Sequence, residues 1–458
     1  MIGQDRTTDI LDTLRDMRRE SEKAYERACQ VIPSGTVSRA RILPPFPFYT
    51  ARGKGSRLFD IDGNEYVDCG MGFGSHMLGH AHPLVVQAIQ AAVEAGTGYG
   101  TPHLREVELA ELLVQAIPCA DKVTFCNSGS EATLNAIRLA RAVTGKMGIA
   151  KFEGGYQGWY DAVLGSVGFN SEKAGPVEDP QFVSHSIGIP PENLLHTHVL
   201  PFNHEAAFEK IYRLKDQLAV VMIEAVQGAG GSIPVEREFL TELRRVCTEA
   251  GVLLLMDEII TGFRLAYGGA QEYYGVKADL ATYSKVVGAG LPLGIIAGTD
   301  EVMGRLGSTG DPALDFKERV YYGGTFNGSV PAMAVGIAVL SYLKDHPEIY
   351  DKLNATGEKI RRCLREVVAE GDYPVTIVGE GSLFMARFVR GEVKSARDLV
   401  NENVAALRGL YPYLAKYGVF IPHVHFAVIS AAHTGEDVEL ISQAYRQAFH
   451  DLHIAKLI

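Results

Sequence analysis

Lys285 stands where a lysine is costly to place. It lies in ATYSKVVGAGLPLG, residues 281 to 294, among small and apolar side chains. A lysine at the end of an element can snorkel its ammonium to water. A desolvated lysine instead has a lowered pKa and becomes a nucleophile toward carbonyl groups. Three further stretches carry comparable chemistry. In CNSGSEATLNA, Asn127, Ser128, Gly129 and Ser130 follow a strand-like run and open a helix. Backbone N–H groups, two hydroxyls and the positive helix end converge there, as a phosphate requires, although an ordinary N-cap is the plainer alternative. In LLLMDEIITGFR, Asp257 closes an apolar strand, so its carboxylate needs a buried cation, either a heterocyclic N–H⁺ or a structural arginine such as Arg264. In KFEGGYQGWYDA, Tyr156 occupies a Gly-flanked turn where it can either cover a flat ligand or pack as a core aromatic.

The elements that must position these residues alternate along the chain. KVTFC (122 to 126) precedes the helix-like EATLNAIRLARAVTG, LAVVMIEAV (218 to 226) lies between two helical patterns, and VLLLMDEII (252 to 260) ends another unit. Continuous apolar strands between amphipathic helices predict an α/β protein with a mostly parallel sheet covered on both faces. Ligands in such sheets sit beyond the carboxyl ends of the strands, where the stretches of Asn127–Ser130, Asp257 and Tyr156 fall. Breaks are expected at GSTGDPALD (307 to 315) and EGDYPVT (370 to 376). After the second, two strand-like runs, a helix near 396 to 416, FAVISAA and a closing helix from Glu436 predict a smaller α+β lobe. The N-terminus, with Ile10, Leu11, Leu14 and Met17 at helical spacing, predicts an amphipathic helix.

Composition narrows the classes of function. The 458 residues are 47% hydrophobic and carry a formal net charge of -11 with no basic tract, which argues against a general nucleic-acid or anionic-membrane binder. Cys29, Cys69, Cys119, Cys126, Cys247 and Cys363 are scattered without a CxxC pair, so no zinc knuckle or disulfide framework is indicated and no metal is expected. VPAMAVGIAVLSYL (330 to 343) is too short for a membrane span, which needs ~20 apolar residues. A cytoplasmic protein is expected.

A phosphate cup, an aspartate at a strand end, an aromatic plate and a lone lysine together match one ligand, pyridoxal 5'-phosphate: phosphate anchor, pyridinium partner, ring stack and Schiff base. The sequence also resembles the class III (ω-type) aminotransferases. Among these it is most similar to glutamate-1-semialdehyde aminomutases and related β- and D-amino-acid aminotransferases. The likeness is carried by ARGKGSRLFDIDGNEYVDC, LGHAHP, NSGSEAT, DEIITGFR, YGGAQEYYGVKADLATYSKVVGAGLPLG and GGTFNGSVPAMAVG.

The resemblance implies fold type I of the pyridoxal-phosphate enzymes. Residues 1–70 would hold the N-terminal helix and part of the small lobe, 71–330 the large cofactor domain, and 331–458 a linking helix and the C-terminal small domain. It implies Lys285 as the lysine joined to the cofactor and Asp257 as the partner of the pyridine nitrogen. Ser128, Gly129 and Ser130 become the phosphate cup, Tyr156 the stacking ring, and Glu224 and Gln227 neighbours of the ring oxygen and reacting amine. Thr325, in GGTFNG at the start of a helix, becomes the residue that reaches the phosphate of a second subunit, which implies a homodimer with shared sites. One departure is visible: the family commonly has YHG where this chain has Tyr156-Gln157-Gly158.

The expected reaction is transfer of an amino group between a carboxylate-bearing amino acid and a keto acid. An isomerase, either an aminomutase or a racemase, is the alternative. SRARILPPFPF resembles the segment that supplies a carboxylate-binding arginine, with Arg39 first and Arg41 second, and Phe46 and Phe48 suggest an apolar or aromatic substrate side chain. Two features favour intermolecular transfer. Aminomutases typically have an acidic residue just after the phenylalanine matching Phe426, where this chain has Ala427, and the Gly-Ser-rich gate of a mutase is not recognisable in AVLGSVGFNSEKAGP (162 to 176).

Overall fold

The computed structural model describes residues 2–169, 172–423 and 425–458. The chain forms two compact units, one of Pro83–Tyr350 with Lys394–Val400, the other of Met1–His82, Asp351–Val393 and Asn401–Ile458.

The larger unit is built on a seven-stranded sheet, in the spatial order Lys122–Cys126, Gly294–Gly298, Leu280–Tyr283, Leu253–Asp257, Leu218–Ile223, Gly148–Phe152 and Thr197–Leu200. Gly294–Gly298 runs antiparallel to both its neighbours and the remaining pairings are parallel. Leu218–Ile223 and Gly148–Phe152 are buried along their whole length, the reason their sequences lack alternation. The helix Gly129–Thr144 lays Ala132, Ala136, Ile137, Leu139 and Ala140 into a core shared with Val220, Met222, Leu255, Leu280 and Ile296 of the sheet. It stops at Gly145, whose φ of 69° is the left-handed cap that glycine adopts without strain.

The helix Val330–Asp345, expected to link the lobes, belongs to the larger unit. It is apolar around its circumference, burying Val330, Met333, Val335, Val339, Leu340 and Leu343, and packs against Pro83–Glu94 and Leu104–Ala116. Such a helix has no polar face to turn to water. The larger unit accordingly starts at Pro83 and extends to Tyr350, rather than spanning 71–330. The segment at 307–315 is no boundary, because it leads into the helix Pro312–Glu318, capped by the Asp311 side chain on the Ala313 N–H. The helix expected near 396 is a short 3-10 turn, Ala396–Leu399, and the α-helix starts at Val404.

The smaller unit contains a four-stranded sheet, Thr50–Lys54, Arg57–Asp60, Glu65–Asp68 and Val419–Phe420, and a three-stranded one, Thr376–Val378, Leu383–Arg387 and Ala427–Val428. Its last helix, Gly435–Ile454, opens with a reciprocal cap between Thr434 and Asp437. In the N-terminal helix, Ile2–Met17, Ile10 and Leu14 are buried and Leu11 and Met17 half-buried, as their spacing predicts. Among the described residues no helix is long and apolar enough to cross a membrane.

Candidate active site

Parallel strands end on the same side of a sheet, and this places the predicted residues together. Cys126, Phe152, Ile223, Asp257 and Tyr283 are the last residues of five mutually parallel strands. Asn127–Ser130, Tyr156, Glu224 and Lys285 follow within a few residues of those ends.

Asp257 is buried, and its Oδ1 accepts the Ile259 N–H at 3.1 Å and the Thr282 hydroxyl at 3.3 Å. Its Oδ2 is buried with no hydrogen-bond partner among the described residues. Desolvation holds the carboxyl up at about 6, although the Ile259 N–H, Lys285 and Thr282 pull the other way. Lys285 is half-buried as the first residue of a short helix, and Val286, Val287 and Gly288 beside it are buried. Desolvation lowers its amine to about 8 against the opposing pull of Asp257 and Glu224. The snorkelling alternative, in which the ammonium reaches water, does not account for that shift.

Glu224 is buried and raised to about 8, by desolvation first and by Asp257 second. Its Oε1 accepts the Tyr156 N–H at 2.6 Å and the Gln157 Nε2 at 3.3 Å, and its Oε2 the Gly228 N–H at 3.2 Å. Gln227 donates from Nε2 to the Glu153 carbonyl at 2.8 Å, and its Oε1, like Gln157 Oε1, is buried without a partner among the described residues. Tyr156 is 38% exposed as a residue, so it is no core aromatic.

Ser128 is the N-cap of Gly129–Thr144, its hydroxyl accepting the Glu131 N–H at 3.2 Å. The capping alternative is therefore realised, and it is compatible with anion binding. N–H groups in the first turn have no partner within a helix, so those of Gly129 and Ser130 remain for a ligand. A Cβ on Gly129 would come within 2.6 Å of Ile259 Cδ1, so a larger residue in this cup would require the Ile259 side chain to shift.

The chain's own groups fit pyridoxal phosphate. An orphaned, buried carboxylate oxygen needs an N–H⁺ donor, a helix start needs an anion, and a desolvated amine stands beside them.

Other expectations fare differently. Thr325 is exposed in a turn, five residues short of the helix Val330–Asp345 and not at a helix start. Asn327 in that turn accepts from Asn127 Nδ2 at 2.9 Å, next to the cup. Arg39 and Arg41 form an exposed 3-10 turn in the smaller unit. Phe46 and Phe48 are packing residues of that unit. Phe46 is buried and stacks on Tyr25 with centroids 6.1 Å apart, and Phe48 stacks on Tyr66 at 4.8 Å under the Arg18 guanidinium. They therefore carry no information about a substrate side chain. Residues 170 and 171 of the gate segment lie outside the described residues.

Two supports of the site were not foreseen. Arg397, in the returning segment Lys394–Val400, donates to both oxygens of buried Glu153 at 2.7 and 3.2 Å, backing the loop that carries Tyr156. Lys151 lies fully buried in the strand before that loop. A lysine inside the apolar run GIAKF was the available signal for it.

The family model for class III aminotransferases matches residues 39–443. A glutamate-1-semialdehyde 2,1-aminomutase of Methanothermobacter thermautotrophicus is 38% identical over 436 residues, covering 94% of this chain and 99% of that protein. A transaminase solved with pyridoxal phosphate bound superposes with a TM-score of 0.84 at 32% identity, over 96% of this chain and 99% of that one. A β-phenylalanine aminotransferase from Variovorax paradoxus gives 0.86 at 30% identity, over 99% of both chains. With a family match over most of its length and a site assembled at the strand ends, this chain belongs to the class III aminotransferases and has their fold type I architecture.

Proposed function

We propose that this enzyme moves the amino group of a carboxylate-bearing substrate with pyridoxal phosphate as cofactor. The observation that carries the reading is the buried, unpartnered Asp257 Oδ2 in the electrostatic field of a desolvated lysine. When bound, the cofactor supplies an aldehyde that condenses with amines and a ring that accepts the electron pair of a carbanion. Lys285 contributes its Nζ, first as nucleophile and then, once freed, as the base that moves a proton at the substrate α-carbon. An amine lowered to about 8 has a sizeable neutral fraction near neutral pH, which both roles need. Asp257 Oδ2 would accept the pyridinium N–H⁺ and keep that nitrogen protonated. Gly129, Ser130 and Ser128 would hold the phosphate, Tyr156 would cover the ring, and Glu224 and Gln227 would serve the ring oxygen and the reacting amine.

Within this chemistry the aminomutase is the better supported outcome, because the curated relatives bear that name at 38% identity over nearly the whole chain. This favours what the sequence reading held as its alternative. A specific observation supports intermolecular transfer as the second reading: Ala427, where mutases typically carry an acid, is 1% exposed in a strand paired with Leu383–Arg387. Its methyl group can neither pair with an ammonium nor accept its hydrogen bonds. The β-phenylalanine aminotransferase neighbour is of that kind. Incubation with glutamate-1-semialdehyde alone, then with pyruvate or 2-oxoglutarate added, separates the two. Rapid 5-aminolevulinate formation without a keto acid supports the mutase. Amino transfer dependent on the keto acid, with slow turnover of the semialdehyde, supports the aminotransferase.

We also propose a homodimer and a cytoplasmic location. Phe316, Tyr321 and Phe326, flanking Thr325, are 91, 82 and 73% exposed, an apolar surface suited to a second subunit. Six free cysteines suit a reducing compartment. A fully active monomer in sedimentation would contradict the dimer.

A further inference from the structure

Lys151 is a fully buried cation of the larger unit that the mechanism above leaves unused. It sits in Gly148–Phe152, a strand buried along its whole length, and its side chain has no exposed surface. A buried ammonium is costly unless every proton is satisfied. Here Nζ donates to the carbonyls of Gly155 at 2.8 Å, Val163 at 3.1 Å and Gly165 at 2.5 Å. Three acceptors match the three donors of the charged form, whereas a neutral amine has only two; desolvation lowers this amine to about 7, so the full set of three bonds belongs to the protonated form below that value.

The first of these bonds bears on the site. The Gly155 carbonyl and the Tyr156 N–H are opposite ends of one peptide group. Lys151 holds the oxygen, and Glu224 Oε1 holds the N–H at 2.6 Å. A peptide group is planar, so holding both ends restrains its plane, and with it the position of the Tyr156 Cα from which the side chain leaves the backbone. The flanking Gly154 has a φ of 89° and supplies no rigidity of its own. Since Tyr156 is 38% exposed as a residue, packing alone does not hold it. The same amine ties down Val163 and Gly165, so the turn and the chain leaving it share one anchor.

We propose that Lys151 is a positioning residue for the cofactor: with Glu224 it clamps the Gly155–Tyr156 peptide and sets the Tyr156 ring before the cofactor arrives. The inference rests on the pyridoxal-phosphate reading for the role of Tyr156, while the clamp itself is a property of the cofactor-free chain.

Lys151→Met keeps an unbranched side chain one atom shorter and removes its donors. The variant is expected to bind pyridoxal phosphate about tenfold more weakly, the effect of one hydrogen bond to a charged group, and to show reduced visible circular dichroism of the bound cofactor. In a Tyr156→Ala background the same change should have little further effect on affinity, because both act through one ring. Wild-type affinity and dichroism in Lys151→Met, or full additivity with Tyr156→Ala, would overturn the assignment. If Lys151→Met does not fold, hydrogen exchange of the cofactor-free wild type decides. A slowly exchanging Tyr156 amide is expected, and exchange at the rate of an open loop until cofactor is added would refute the clamp. A wild type that takes up no pyridoxal phosphate would defeat the cofactor reading while leaving that exchange result to judge the clamp.

Discussion

Thr282 and Asp257 stand in register on adjacent parallel strands, and the Thr282 hydroxyl donates to Oδ1 of Asp257 at 3.3 Å. With the Ile259 N–H on the same oxygen, the carboxylate is oriented so that Oδ1 is satisfied and Oδ2 is not. An acceptor held in this way is prepared for a cationic donor. Asp257→Asn should preserve the fold and lower turnover by about 10²–10³-fold, the typical loss when a preorganised electrostatic partner is removed. Steady-state kinetics at saturating cofactor check this, and turnover within a few-fold of wild type would contradict the role.

Lys285→Ala removes the nucleophile from a half-buried position, so little core volume is lost. The variant should melt within a few degrees of wild type, lack the visible absorption of lysine-bound cofactor and show no turnover. Persistence of that absorption would move the assignment to another lysine.

The titration of Glu224 fixes the sign of a pH effect in the cofactor-free protein. Its folded value of about 8 lies above the ordinary 4.5, so between these limits the native state holds a proton that the unfolded chain releases. Stability from this group is therefore present at low pH and lost as pH rises through about 8. Lys285, lowered to about 8, and Lys151, lowered to about 7, contribute in the opposite sense above their folded values, so the comparison must be made against a variant. Denaturant midpoints from pH 5 to 8 should fall more steeply in wild type than in Glu224→Gln. Parallel profiles would mean that Glu224 is ionised throughout.

Arg39 and Arg41 remain the proposed carboxylate anchors. Arg39→Ala should raise the Michaelis constant for carboxylate substrates about tenfold or more and leave that for an amine without a carboxylate unchanged, since only the former loses a charge-assisted pair. An unchanged constant would transfer the role to Arg41, and unchanged constants in both single variants would remove it from this segment.

How much of this was legible in the sequence depends on which signal each feature leaves. Asp257 and Ser128 could be read because each polar residue ends or follows a run of apolar ones, and the strands are parallel because helices separate them. The direction of Gly294–Gly298 could not be read. A strand buried on both faces has the same composition whichever way it runs, and GIIAG differs in nothing from a parallel strand. Phe46 and Phe48 misled because an aromatic ring serves a core and a ligand pocket equally well, and only their contacts with Tyr25 and Tyr66 decide. The resemblance puts Thr325 at a helix start, yet the helix waits until Val330. The supports of Tyr156 left the least trace. Arg397 reaches Glu153 across 244 residues of sequence, and Lys151 is satisfied by carbonyls, which have no signature in side-chain type.

The most direct test of the central claim is chemical. Protein loaded with pyridoxal phosphate is reduced with borohydride, digested, and its peptides are sequenced by mass spectrometry. The account predicts a single phosphopyridoxyl group, on Lys285 within ATYSKVVGAGLPLG. Stoichiometric label on any other lysine, Lys151 included, or no label on protein that has taken up the cofactor, would contradict it.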